Sequence, residues 1–468
     1  MNRTNTPTFV LTIPLIVKPE EDLVLIGRME AGRRLYNATL DESLRRNDLL
    51  KQSKEWQSAR EIKDKKLRGT EFNRLLKEYG LIPASMITHA RTLKNDAQWQ
   101  DRLGSNVVQR IAEKVFSAVQ QYSFGKRGRP RFKGRNRPLH SLEATNNKAN
   151  IIWKAETGCV ETGNLVLPAM LASGEQDPYL IQGLAHRTKY CRIVWRNVKS
   201  SRRWFVQLMQ EGIPPIKHAI KKDAVVGLDI GPGTIAVVGD NSASLVKFCD
   251  AVIQPWKEIR RLQRKMDRSR RITNPHCFNA DGTWKKGRKI TPSRRYTKTR
   301  VEYSEIERKL AEERKRAHGE LANQILGIGN IIQSETLSYI SFQKNYGKSV
   351  KVRAPGMFVE KLRRKAESAG GEWIDLNTRA LRMSQYDHIT QVYTKKPLNQ
   401  RWHKLGDGSG VVQRDIYSAF LAGCVMGNTH HPSRIEEMWA ARKPALLQTG
   451  WLRHEPAKIE PSGRITVL

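Results

Sequence analysis

The sequence predicts an α+β multidomain protein, with an N-terminal β-barrel interrupted by a helical lobe and then a second domain of mixed strands and helices. Three observations carry that prediction. A strand-like start, Thr8 to Ile16, is followed from Glu20 to about Gln120 by helical periodicity. Short apolar runs then return between Asn150 and Gln210, among them Leu165 to Leu167, Ile193 to Trp195 and Trp204 to Leu208, separated by Gly, Pro and polar residues. A strand whose partners arrive only after a helical insertion implies a barrel split by that insertion. After Pro214-Pro215, Val225 to Ile230 opens a different pattern, so the two prolines mark a linker. The length of 468 residues fits two or three domains, and a hydrophobic fraction of 39% with 28% charged residues is that of a folded chain.

In the helical lobe, Leu103, Val107, Ile111, Val115 and Val119 recur every fourth residue and define one packed helical face. A basic stretch follows, in which Lys126, Arg127, Arg129, Arg131, Lys133, Arg135 and Arg137 are threaded with Gly, Pro and Phe132. In the second domain, Val225 to Ile230 reads as a buried strand bearing Asp229. Gly231-Pro232-Gly233 turns the chain, and Thr234 to Val238 completes a hairpin. Glu302 to Gln324 is rich in helix formers, and an apolar run from Ile325 to Ile332 ends near Glu335. Phe358 to Ala369 is a helix stopped by Gly370-Gly371, Glu372 to Leu376 is a strand, and Arg414-Asp415 opens the last clear helix.

Charge narrows the partner. There are 83 basic and 46 acidic residues, a net charge of +37. Between Lys257 and Arg300, sixteen basic residues face only Glu258, Asp267 and Asp281. Neither basic segment has the apolar face of a membrane-surface helix. Phosphate backbone is the partner this charge fits, because each Lys or Arg that neutralises a phosphate releases counterions. Phe9 to Val17, broken by Pro14, is too short to span a bilayer and lacks the basic flank of a signal peptide. Five scattered cysteines without a CxxC pair predict neither a disulfide framework nor a thiolate zinc site, and point to a reducing, cytoplasmic compartment.

Asp229, Glu335 and Asp415 each lie at the end of an apolar strand or the start of an apolar helix, where a carboxylate is costly without a partner. Such a trio suits two Mg²⁺ ions, or Mn²⁺, stabilising the attacking and leaving oxygens of phosphodiester hydrolysis. An Asp-x-Gly turn after a first strand also occurs in sugar kinases and actin-like ATPases, but no second glycine-rich phosphate loop follows here.

Over nearly its whole length the chain resembles the TnpB proteins of insertion sequences and the compact type V CRISPR effectors, RNA-guided nucleases with a RuvC-type, ribonuclease-H-like domain. The matching segments in the C-terminal half are Gly227-Leu228-Asp229-Ile230-Gly231, the basic run from Arg260 to about His318, Glu335-Thr336-Leu337, and Arg414-Asp415-Ile416-Tyr417-Ser418-Ala419. Leu35 to Leu40 and Gly128 to Lys133 match in the N-terminal half. The resemblance implies a wedge β-barrel over residues 1–20 and 140–215, a helical recognition lobe over 21–139, and a RuvC-like domain over 220–380 and 412–430. It further implies a target-nucleic-acid-binding insertion over 381–411 and a tail over 431–468. It implies Asp229, Glu335 and Asp415 as catalytic metal ligands. Lys126, Arg127, Arg129, Arg131, Lys133, Arg260, Arg261, Arg264, Lys265, Arg268 and Arg414 would be nucleic-acid contacts. The implied partners are a guide RNA and a double-stranded DNA target, with the protein acting as a monomer or homodimer. The family's four-cysteine zinc ribbon is absent: Met383 to His388 and Arg401 to Asp407 contain no cysteine, zinc is not expected, and Asp387, His388, His403 and Asp407 read as surface residues of a degenerate ribbon. Three functions follow: guided DNA cleavage, guided binding without cleavage, and guide-free transposition.

Overall fold

In a computed structural model the chain divides into two units, Met1–Pro215 and Ile216–Leu468. The structure describes residues 6–134, 139–171, 177–199, 201–216, 218–397 and 399–454. Arg135, Arg137 and the tail beyond residue 454 lie outside the described residues.

The first unit begins with strand β1 (Thr8–Pro14), whose alternate residues Phe9, Leu11 and Ile13 are buried. Helices α1 (Pro19–Gln52), α2 (Lys54–Glu61), α3 (Lys65–Glu78), α4 (Pro83–Asp96) and α5 (Ser105–Ser123) follow. Then come β2 (Ser141–Glu143), β3 (Ile152–Lys154), β4 (Cys159–Thr162), β5 (Leu165–Pro168), α6 (Pro178–Leu184), β6 (Thr188–Val198) and β7 (Ser201–Glu211). The apolar stripe read from the sequence is buried throughout, from Leu103 to Val119, and Val107, Val108 and Ile111 pack with Leu25, Met29 and Leu35 of α1 against β1, β6 and β7. Each such side chain contributes about 2 kcal/mol of apolar burial.

The expected barrel does not form among the described residues. The strands make a four-stranded sheet in the order β1-β7-β6-β2 and a separate three-stranded sheet, β3-β4-β5, with β1 and β2 left as edges. The two edges end differently. At Pro14, which has no N–H, β1 meets the smaller sheet: the Pro14 carbonyl accepts from the Met170 amide at 2.8 Å and the Ile16 amide donates to the Pro168 carbonyl at 2.9 Å. At the other edge β2 has three residues, and Asn147 beyond it bonds the Trp153 backbone through both side-chain atoms, at 2.7 and 3.1 Å.

The second unit contains β8 (Val225–Ile230), β9 (Thr234–Val238), β10 (Ala243–Lys247), α7 (Trp256–Thr273), α8 (Arg294–Ile328), β11 (Ile331–Glu335), α9 (Tyr339–Arg353), α10 (Pro355–Ser368) and β12 (Glu372–Leu376). It continues with α11 (Thr378–Leu381), β13 (Trp402–Lys404), β14 (Val411–Gln413), α12 (Arg414–Cys424), α13 (Pro432–Gln448) and β15 (Leu452–Arg453). The central sheet has the order β10-β9-β8-β11-β12, with β8, β9 and β10 antiparallel in sequence and β11 parallel to both β8 and β12. Val226, Leu228 and Ile230 face a core containing Ile325 and Leu326 of α8 and Phe358 and Leu362 of α10. The intervening residues, Gly227 and Asp229, belong to the opposite face.

The apolar run Ile325 to Ile332 is not one element. Helix α8 ends at Ile328, the chain turns through Gly329 and Asn330, and β11 begins at Ile331. Helix α9 was not visible as a pattern, since no residue in it is buried. Nor is α12 the last helix. Trp439 of α13 is buried, as is Trp451, and with Ile435 and Leu446 they pack into the core around Ile416 and Phe420. No helix among the described residues is long and apolar enough to cross a membrane.

Candidate active site

Helix α12 lies directly on the central strand. A Cβ on Gly227 would fall 1.9 Å from the Ala419 carbonyl oxygen and 2.5 Å from the Gly423 nitrogen, so only glycine permits this approach. On the neighbouring strand Gln333 pairs with Gly227 in register, and its side-chain amide donates to the Val425 carbonyl at the end of α12. Gly227 and Gln333 therefore identify the helix-covered face. Two residues further along each strand, on that same face, stand Asp229 and Glu335. One turn before Ala419, in the first turn of α12, stands Asp415. Three distant carboxylates are thereby brought to one end of one sheet face.

Asp415 does not cap its helix. Gln413 does so, its side-chain oxygen accepting from the Ile416 amide at 2.8 Å. Asp415 is thus left to face the strands at a helix N-terminus that favours negative charge. Its cationic neighbours are Arg414, with Nε at 3.4 Å, and Arg401, with Nη1 at 3.8 Å.

The electrostatics record the convergence. Burial, and then the charges of Asp415 and Glu335, push the Asp229 carboxyl well above the usual carboxylate range, and Arg414 offsets this only in part. Burial pushes Glu335 up to about 6 against an opposing hydrogen bond from the Met383 backbone. These oxygens are donors of the kind Mg²⁺ or Mn²⁺ accepts, and their mutual repulsion is the charge deficit a divalent cation relieves. Among the described residues, however, no three His, Cys, Asp or Glu side chains close into a set that grips one ion.

The basic residues singled out in the sequence occupy two surfaces, one in each unit. In the first, Lys126, Arg127, Arg129 and Arg131 are exposed. Arg129 meets Asp48 at 3.0 Å, and Lys133 lies 4.9 Å over the Tyr36 ring. The Asn37 side chain accepts from the Lys133 amide at 2.8 Å and donates to its carbonyl at 2.9 Å, so the segments Leu35 to Leu40 and Gly128 to Lys133 meet. In the second unit, Arg260, Arg261, Arg264 and Arg268 are exposed along α7 and line an open groove with Lys257. Lys265 is half-buried on the same helix. Arg414 donates to the Gln400 carbonyl at 3.0 Å and lies beside Asp415.

Three of the four side chains expected at the surface between residues 387 and 407 are not there. Asp387, His388 and His403 are buried and bonded rather than surface residues. The Asp387 carboxylate accepts from His403 Nε2 at 2.7 Å, from the Ile389, Thr390 and Gly406 amides, and from the Thr390 hydroxyl. The His388 amide donates to the Tyr417 hydroxyl at 2.9 Å, and His403 stacks on the Tyr417 ring at 4.6 Å. Asp407 is exposed, as expected.

Sequence reasoning missed the part Gly227 plays, although glycine inside an apolar strand is a signal of close backbone approach. No sequence signal disclosed Gln333 or the Asn37 clamp.

No family model matches the sequence, and no curated protein matches it. Among solved structures, the chain is similar to one in the cryo-EM structure of a CRISPR-Cas12f ternary complex, with 13% sequence identity and a TM-score of 0.28, over 87% of this chain and 82% of that one. It is also similar to a chain of the Cas12f1–sgRNA–target DNA complex solved by cryo-EM, with 13% identity and a TM-score of 0.42, over 89% of this chain and 98% of that one.

Proposed function

We propose that the protein is an RNA-guided DNA endonuclease whose hydrolytic centre is Asp229, Glu335 and Asp415, within a RuvC-type, ribonuclease-H-like domain formed by the second unit. The observation that carries this reading is the meeting of three carboxylates from β8, β11 and α12 at one end of one sheet face, where Asp415 and Glu335 raise the pKa of Asp229. Their order in the chain follows the motif order of the family the sequence resembles.

Asp229, Glu335 and Asp415 are the residues that would hold Mg²⁺ or Mn²⁺, and hard oxygen donors without thiolate or imidazole suit those ions better than zinc. When bound, the ions supply the positive charge that stabilises the attacking and leaving oxygens of the phosphodiester. The chain's own part is to position the oxygens. Gly227 brings α12 against β8, Gln413 frees Asp415 from capping, and the Met383 backbone holds Glu335. The exposed arginines of α7 and of the segment 126–131 would neutralise phosphates of guide and target, leaving sequence choice to base pairing.

A second reading, guided DNA binding without cutting, is favoured by one observation: Asp415 already faces two arginines, Arg414 at 3.4 Å and Arg401 at 3.8 Å, which compete with a cation for it. One experiment separates the two. The chain is expressed with its native flanking DNA and purified at high salt, its retained RNA is sequenced, and the complex is given matched DNA with Mg²⁺. Cleavage is expected from the wild type, and Asp229→Ala is expected to lose it by more than about 100-fold while retaining the RNA. Equal cleavage by the mutant removes Asp229 from the chemistry. Guided binding with unbroken DNA from the wild type establishes the second reading.

A further inference from the structure

The residue before Met383, whose backbone bonds Glu335, is Arg382, and its backbone is left-handed, with φ 42° and ψ 47°. For a side-chain-bearing residue that conformation costs on the order of 1 kcal/mol. It is stabilised here because the Arg382 amide closes α11 onto the Thr378 carbonyl at 3.1 Å. The turn places the guanidinium of exposed Arg382 over the ring of Tyr393, 4.3 Å from its centroid. Tyr393 is itself exposed, yet it is anchored. It bridges Tyr386 through the backbone, the two rings lie 5.0 Å apart, and Tyr386 stacks flat on His430 at 4.0 Å. Whereas Arg401 and Arg414 lean on Asp415, Arg382 makes no ion pair among the described residues. An exposed guanidinium thus lies 4.3 Å over an exposed aromatic ring, on the residue next to the one whose backbone bonds Glu335.

We propose that Arg382 and Tyr393 form a stacking platform for one nucleotide of a single strand entering the Asp229, Glu335 and Asp415 site. The base stacks on the outward face of the guanidinium, and the adjoining phosphate is bound by its N–H edge. This deepens the nuclease reading and rests on it for the direction of the strand. The platform is sequence-tolerant, because every base has a stacking face. Arg382 and Tyr393 are positioning residues that set the phosphate relative to Glu335.

The test uses the full chain as purified with its RNA and a single-stranded DNA carrying 4-thiothymidine, cross-linked by ultraviolet light and mapped by peptide mass spectrometry. Adducts are expected within residues 382–393. They should fall about tenfold in Arg382→Gln and in Tyr393→Ala, as expected from loss of a stacked base, and persist in Tyr393→Phe, which keeps the ring. Adducts that avoid this segment, or that are undiminished in Arg382→Gln, overturn the proposal. Arg382→Gln leaves the buried stack untouched and carries the test if Tyr393→Ala does not fold. Cleavage is scored in parallel. Adducts in the segment without cleavage by the parent retain the platform and remove the hydrolytic reading, and cleavage without such adducts removes the platform alone.

Discussion

At Gly227 the absence of a side chain decides how close the main helix can come to the main strand. The atoms that a Cβ would strike, the Ala419 carbonyl oxygen and the Gly423 nitrogen, are backbone and cannot rotate away. Gly227→Ala is therefore expected to part α12 from β8, destabilising the second unit by about 3 kcal/mol, and to lose activity as Asp415 moves off Asp229. Gly233 is the control: a Cβ there meets nothing within 4 Å, so Gly233→Ala should stay within about 0.5 kcal/mol of the parent. Thermal unfolding and cleavage assays read both, and parent-like behaviour of Gly227→Ala refutes the close packing. The signal that Gly227 carries, a glycine inside an apolar strand, was left unread. It could not say that the approaching backbone came from nearly two hundred residues away, because nothing local to Ala419 and Gly423 announces a partner.

Among the elements, the segment around Asp387, His388 and His403 is organised by hydrogen bonds to a carboxylate. Burial opposes ionisation of Asp387, but the bonds from Thr390 and His403 outweigh it and hold the carboxyl below its ordinary range. Burial, and then Lys396, hold His403 below the ordinary imidazole value despite Asp387. The fold thus keeps the neutral imidazole. Its stabilisation is complete above the unfolded value of about 6.5 and falls as pH drops through and below it. Asp387→Ala, which strands several buried donors, is expected to cost about 2 kcal/mol. Amide exchange across residues 384–406 should accelerate while β8 and β11 stay protected, whereas unchanged exchange in that segment counts against Asp387 as its organiser. From sequence these same residues looked like surface, since isolated His and Asp in a polar loop carry no mark of the ring, Tyr417, that lies 29 residues from His388 and closes over them.

For the whole molecule the dominant quantity is the charge of +37. If the arginines of α7 neutralise phosphates, Arg260→Ala, Arg261→Ala and Arg264→Ala combined should flatten the log–log dependence of nucleic-acid affinity on salt by about 2 to 3. An unchanged slope in a titration from low to moderate salt places the binding surface elsewhere. The charge, the candidate carboxylates, the helical lobe and most strands were legible because each is written in composition or in a period of two or four residues. Helix α9 was missed because no residue in it is buried, and without a buried face no apolar period develops. Barrel closure was misjudged because it depends on whether strand edges meet, and that β1 and β2 remain apart as edges is decided only in three dimensions. Local pattern could nominate Asp229, Glu335 and Asp415 one by one. That they share a face depends on register between β8 and β11 and on a glycine that lets α12 touch the sheet, and both are contacts between residues too far apart in sequence for any local pattern to encode.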